Sequence, residues 1–225
     1  MVDLNMVKIK ITDDDLVNTQ QKARLLNKNK ILKAAEQEFK QYGFNGASIA
    51  RIAETAMLPR SNIHYYFTNK LALYGAVLSN IINLWNQAFA DIKPNDDPAK
   101  AIASYIDAKI EYSRTNPTAS IIFASELLHG APYLSQYLKR DFKQWIADKA
   151  NVIESWQAQG KLDEQISAYH LLFTIWGATQ HYANFSVEIE AALDRPLTNT
   201  DFDDAKRTIK HIILKGCGMP HADKR

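Results

Sequence analysis

The sequence is poor in almost everything that disulfide, metal or phosphate chemistry requires. A single cysteine, Cys217, in 225 residues leaves no disulfide framework and no thiolate cluster for zinc. The six histidines, His64, His129, His170, His181, His211 and His221, form no His-Glu-x-x-His motif, and no glycine-rich phosphate loop occurs. His170 and His181 stand eleven residues apart on one predicted helix, a spacing that can place them on one side, but core or surface histidines are far commoner than ligands. No metal or cofactor is expected, and no enzyme. No apolar run approaches the roughly 20 residues of a membrane span, and Met1 to Asp15 lacks the apolar stretch of a secretory signal. Together these absences point to a reducing cytoplasm and no membrane contact.

What is present is 46% hydrophobic content, enough to bury a sizeable core, and an uneven charge. Between Lys22 and Lys70, nine Lys/Arg face only Glu36, Glu38 and Glu54, an excess of +6 in a chain of net +2, so the remainder carries −4. An anionic partner is expected for the basic part only, the other reading being a solvated charged face.

The periodicity predicts helix nearly throughout. Ile31, Ala35, Phe39 and Tyr42 follow a helical repeat that stops at Gly43; Ser48 caps a helix over Ile49–Thr55; Pro59 opens a third ending near Phe67; Thr68 caps a fourth running to about Ile92. Longer helices follow over 99–114, 118–129, 133–159, 167–192 and 200–215, separated by Asn116-Pro117, Gly130-Ala131-Pro132, Gly160 and Arg195-Pro196. The expected organisation is all-α: a flexible N-terminal arm (1–22), whose Val7–Ile11 alternation is too short for a stable strand, a three-helix domain (23–74), and a larger C-terminal helical bundle (75–225).

Two short helices joined by Ala56-Met57-Leu58 have the outline of a helix-turn-helix. Ile49, Ile52 and Ala53 are expected to face Phe39 and Ile63, leaving Arg60, Ser61 and Asn62 at the exposed start of the second helix, the end that reaches base edges. Arg60 suits a guanine fork or a phosphate clamp, and Asn62 suits adenine. His64, Tyr65, Tyr66 and Lys70 lie further along, the last three placed for phosphates, while the helix starts at Ser48 and Thr68 offer backbone N–H groups. Tyr66 and Phe67 suit packing equally well.

This segment resembles the DNA-binding domain of the TetR family of transcriptional regulators. The resemblance rests on Phe39, Tyr42-Gly43-Phe44, Ser48-Ile49, Ile52-Ala53, Ala56, Ile63, Tyr65-Tyr66-Phe67, Asn69-Lys70 and Leu73-Tyr74. Met57 stands where glycine is common and His64 where tyrosine is common. The resemblance implies a homodimeric regulator that binds double-stranded operator DNA and answers to a small-molecule effector, more often as a repressor. Further along, Ser113-Arg114, Ala119-Ser120, Phe123, Glu126, Gly130-Ala131-Pro132 and Gln180-His181-Tyr182-Ala183-Asn184-Phe185 resemble a pyrimidine-sensing subgroup. Uracil, thymine or another small planar polar metabolite is the implied effector, and Phe123 joins the candidate ligand residues.

The residues themselves supply a ligand face. Phe173, Trp176, Gln180 and Asn184 fall at i, i+3, i+7 and i+11 of one helix, two aromatics to stack on a flat ring and two amides to match its carbonyl and N–H. Trp85, with Leu78, Ile82 and Phe89 on its side of the fourth helix, would close the pocket; Trp85 and Trp176 as core residues, and Gln180 as a buried amide, are the plainer alternatives. Arg114 and Glu126 suit either an internal ion pair or a ligand contact. Gly177 and Ala178 permit close helix approach at a dimer seam, with Cys217 a passive residue nearby. Two other classes stay open: a ligand-binding helical protein without DNA-binding activity, and a helical-bundle enzyme.

Overall fold

The computed structural model describes residues 13–219, and these contain helices and turns but no strand. The chain divides between Tyr74 and Gly75 into two compact units.

The smaller unit opens with α1 (Asp13–Gly46). Neither glycine nor proline occurs from Asp13 to Tyr42, so nothing breaks the helix before Gly43, whose φ of 62° kinks the chain. Residues 13–22 of the expected 1–22 arm are therefore helical, and the Val7–Ile11 alternation lies outside the described residues. α2 (Ile49–Thr55) starts at Ser48, whose Oγ accepts the Ala50 N–H at 3.2 Å. It ends in a Schellman arrangement: Leu58 N–H donates to Ala53 O and Met57 N–H to Glu54 O, both at 3.0 Å. That geometry puts Met57 at φ 54°, so the left-handed turn residue is a methionine 84% exposed to solvent. α3 (Arg60–Tyr66) follows Pro59. Asn69, not Thr68, caps α4 (Lys70–Gln87): its Oδ1 accepts the Ala72 N–H at 2.8 Å. Ile31, Ala35, Phe39, Ile52, Ala53, Ile63, Leu73 and Tyr74 are buried, Ile49 is half-buried, and Phe39 meets the Tyr74 ring edge-on at 4.7 Å.

In the larger unit, α4 stops at Gln87 rather than near Ile92, because the next segment gives its carbonyls to other partners. Lys149 Nζ donates to Ala90 O at 2.7 Å, Trp156 Nε1 to Lys93 O at 3.2 Å, and Gln159 Nε2 to Pro94 O at 3.1 Å. α5 (Pro98–Thr115) is capped by Asp97 and packs against both α9 (Ala168–Asn184) and α11 (Asn199–Gly216). Its Ile102, Ile106 and Ile110, four residues apart, are fully buried, each worth roughly 1.5–3 kcal/mol of apolar burial. Ser113 Oγ donates to Thr179 O at 2.9 Å, fixing the α5–α9 register.

α6 (Pro117–Leu128) precedes a region where the expected 133–159 helix is interrupted: α7 (Ser135–Tyr137), a π-helical turn (Leu138–Phe142), then α8 (Lys143–Ala158). The expected 167–192 helix likewise breaks at Phe185, giving α9 and α10 (Ser186–Leu193). Thr198 and Asp201 form a reciprocal capping box at the start of α11. Arg114 does not pair with Glu126; it pairs with Glu111 on its own helix, and Glu126 Oε1 accepts the Tyr133 N–H at 2.6 Å. Cys217 is buried in this core, its thiol pushed up to about 11 by desolvation, which suits a passive residue.

Candidate functional site

On α3, Ile63 and, just beyond its end, Phe67 point into the small core, four residues apart. The opposite face carries Arg60, Ser61, His64 and Tyr65, all exposed, with Asn62 and Tyr66 half-buried at its margins. Tyr65 is 68% exposed, meets Tyr66 edge-on at 5.0 Å, and lies 5.5 Å beneath the Arg24 guanidinium. Arginine, hydroxyls and an imidazole on one uncovered helical face can contact base edges and phosphates together.

Two of the expected contact residues are largely engaged within the protein. Ser48 Oγ is the α2 cap, and its N–H donates to Glu38 Oε1 at 2.8 Å. Lys70 Nζ donates to Asn45 O at 3.2 Å and Ala47 O at 3.0 Å, and sits 4.8 Å over the Phe44 ring, so it pins the start of α4 to the α1–α2 loop. Arg51 plays a similar part: its Nε donates to Glu38 Oε1 at 2.8 Å, Nη2 to Gly46 O at 2.7 Å, and the group covers Tyr42 at 4.4 Å. Part of the basic excess therefore builds the fold, leaving Arg60 as the exposed cation of α3.

In the larger unit, a cavity of about 240 Å³ is lined by residues of α4, α5, α6, α7, the π-helical turn, α8 and α9. Trp85, Phe123, Trp176 and Gln180 all line it, and Trp85 meets Phe123 edge-on at 4.4 Å. Phe173 and Asn184 do not. Phe173 is 46% exposed and packs on His170 and Trp176, while Asn184 is half-buried beyond the cavity. All four share one helical face, but they span about 16 Å along the axis at 1.5 Å per residue, and so small a cavity takes one turn of α9, Trp176 and Gln180.

Ile82 lines it as expected, Leu78 and Phe89 do not, and the rest of the wall is formed by residues whose place the sequence does not announce. Leu138 and Phe142 reach the cavity from the two ends of the π-helical turn, a device common at functional sites. Tyr105 Oη accepts the Trp176 Nε1–H at 2.7 Å, and burial raises the phenol well above its ordinary range. Lys109, one turn along α5, is only 4% exposed, with Nζ 4.6 Å from the centre of the Trp85 ring. Desolvation draws its ammonium down to about 7. A lysine inside the Ile102–Ile106–Ile110 repeat was the available signal.

A capped helix-turn-helix with one uncovered polar face, and a helical bundle built round an aromatic cavity, define a DNA-binding regulator. The chain belongs to the TetR family of bacterial transcriptional regulators. Residues 31–77 match the family model for bacterial regulatory proteins of the tetR family, and residues 78–220 that for the C-terminal region of YcdC-like proteins. Among its relatives is the HTH-type transcriptional regulator RutR of Escherichia coli K12, 37% identical over 92% of this chain and 98% of RutR. The HTH-type transcriptional repressor NicS of Pseudomonas putida is 31% identical over 71% of this chain and 76% of its own. A solved structure of AibR in complex with isovaleryl coenzyme A and operator DNA aligns with a TM-score of 0.63, at 14% identity over 83% of this chain and 97% of AibR, a likeness of fold.

Proposed function

We propose that this regulator is a cytoplasmic homodimeric repressor whose grip on operator DNA is released by a small planar effector, a pyrimidine such as uracil or thymine, held in the cavity of the larger unit. The observation that carries the reading is the juxtaposition of Trp85, Phe123, Trp176 and Gln180 around a cavity of about 240 Å³, just below the usual range for drug-sized ligands and so suited to a small one. Aromatic walls stack on a planar heterocycle, and the Gln180 amide offers one donor edge and one acceptor edge to an imide. The resemblance of the C-terminal residues to a pyrimidine-sensing subgroup supports this effector class.

On the DNA side, Arg60, Ser61 and Asn62 read base edges while His64, Tyr65 and Tyr66 hold the backbone. A single helix of this size buries little surface, so two copies on two half-sites supply the affinity. The effector acts by binding better to the conformation that does not fit the operator. Thermal melting with uracil and thymine tests the reading: a concentration-dependent rise is expected in wild type and not in Gln180→Leu. No rise with either base removes uracil and thymine as the effector.

A further inference from the structure

Lys109 distinguishes this cavity from an ordinary aromatic pocket. The thirteen lining residues include one cation and no carboxylate. Other lysines of the larger unit that lie away from full exposure have partners: Lys149 donates to Ala90 O at 2.7 Å, Lys206 pairs with Glu111 at 3.2 Å, and Lys210 with Asp107 at 3.0 Å. Asp107 and Glu111 flank Lys109 in sequence but turn to α11. Among the described residues, the contact made by the Lys109 ammonium is with the face of Trp85. A buried ammonium without an anionic partner is costly, and an entering anion removes that cost where a neutral ring does not.

We propose that the effector is an anion: a single planar ring bearing a delocalised ionised oxygen, which docks on Lys109 while the ring lies among Trp85, Phe123 and Trp176. The inference rests on the cavity being the effector site and narrows its chemistry. The other polar groups suit the same ligand. Gln180 and Asn86 line the wall, and the Tyr105 hydroxyl, already an acceptor for the Trp176 indole, retains its own proton to donate. The anionic oxygen has two sources, a ring carboxylate or an ionised imide of the pyrimidine itself, and matched probes separate them.

The test uses the full-length protein at pH 7, with calorimetric titration and thermal melting against orotate, uracil, benzoate and benzamide. A charge-assisted contact to Lys109 is expected to make orotate bind roughly 10–100-fold tighter than uracil, and benzoate tighter than benzamide. Lys109→Met and, as a second variant, Lys109→Gln are expected to lose that preference while circular dichroism shows a native helical fold. Uracil binding as tightly as orotate in wild type, with Lys109→Met unchanged, overturns the anion and leaves the pyrimidine reading standing. Uracil matching orotate only while Lys109 is present identifies the ionised imide. Benzoate binding without orotate sinks the pyrimidine reading and keeps the anion. Failure of both carboxylates and of uracil, or a carboxylate preference that survives in both variants, overturns the inference.

Discussion

Replacing Lys109 by methionine is expected to stabilise the effector-free protein, and to do so more at pH 6 than at pH 8. The unfolded chain holds the Lys109 proton with the ordinary value of 10.5, the folded chain with a value near 7. Between those values the unfolded state binds more protons, so the wild type gains stability as pH rises. The penalty is fully present below about 7 and is relieved on approach to 10.5. Linkage with these values gives a penalty of several kcal/mol at pH 6 that is smaller by about 1 kcal/mol at pH 8. The methionine variant escapes this penalty but loses the ammonium–Trp85 contact, so the absolute gain falls short of these figures. The difference between the two pH values, about 1 kcal/mol, is the cleaner quantity, corresponding to about 2–4 °C in melting temperature for a unit of this size. Tyr105 and Tyr137, the other titratable groups of the wall, are both raised by burial and stay neutral across this range. Groups elsewhere cancel when variant and wild type are melted in the same buffers. A stabilisation equal at the two pH values, or a wild type more stable than the variant at pH 6, refutes the reasoning.

Met57→Gly relieves a left-handed residue carrying a β-carbon and is expected to stabilise the smaller unit by about 0.5–1 kcal/mol, after the larger entropy of glycine in the unfolded chain; slower amide exchange across α2 and α3 is the readout, and faster exchange contradicts it. Arg60→Ala is expected to weaken operator binding by about 1–3 kcal/mol with an unchanged melting temperature, measured by fluorescence anisotropy. Retained wild-type affinity would remove Arg60 from the interface. Trp156→Ala, which empties a fully buried site and abandons the hydrogen bond to Lys93 O, is expected to cost about 3–5 kcal/mol in urea unfolding, and a loss below 1 kcal/mol would show that the site collapses freely.

The smaller unit was legible because its signals are local. Ser48, Gly43 and Pro59 act on their immediate neighbours, and α2 runs from Ile49 to Thr55 as its cap and repeat require. The end of α4 was not, because Phe89 and Ile92 continue its apolar repeat while Lys149, Trp156 and Gln159, some sixty residues on, take the carbonyls of the following segment. The same division governs the cavity. Trp85, Trp176 and Gln180 announce themselves by residue type on a helical face, but the repeat says nothing of how far along the axis the cavity extends, so Phe173 and Asn184 were included with them. Lys109 sits between Asp107 and Glu111, which makes it read as part of a solvated charged run until α11 draws both carboxylates away. The π-helical turn leaves no mark in a sequence whose periodicity is helical on both sides of it.

In the proposed function the DNA grip is conditional on a molecule in the cavity of the larger unit. The most direct measurement is the anisotropy of a labelled duplex, selected by the protein from a random pool, titrated with wild type and with Gln180→Leu at two salt concentrations, without and with the pyrimidine that raises the wild-type melting temperature. The account predicts salt-dependent binding by both proteins, weakened by the effector in wild type alone. A duplex affinity insensitive to salt, or an effector response that persists undiminished in Gln180→Leu, would contradict it.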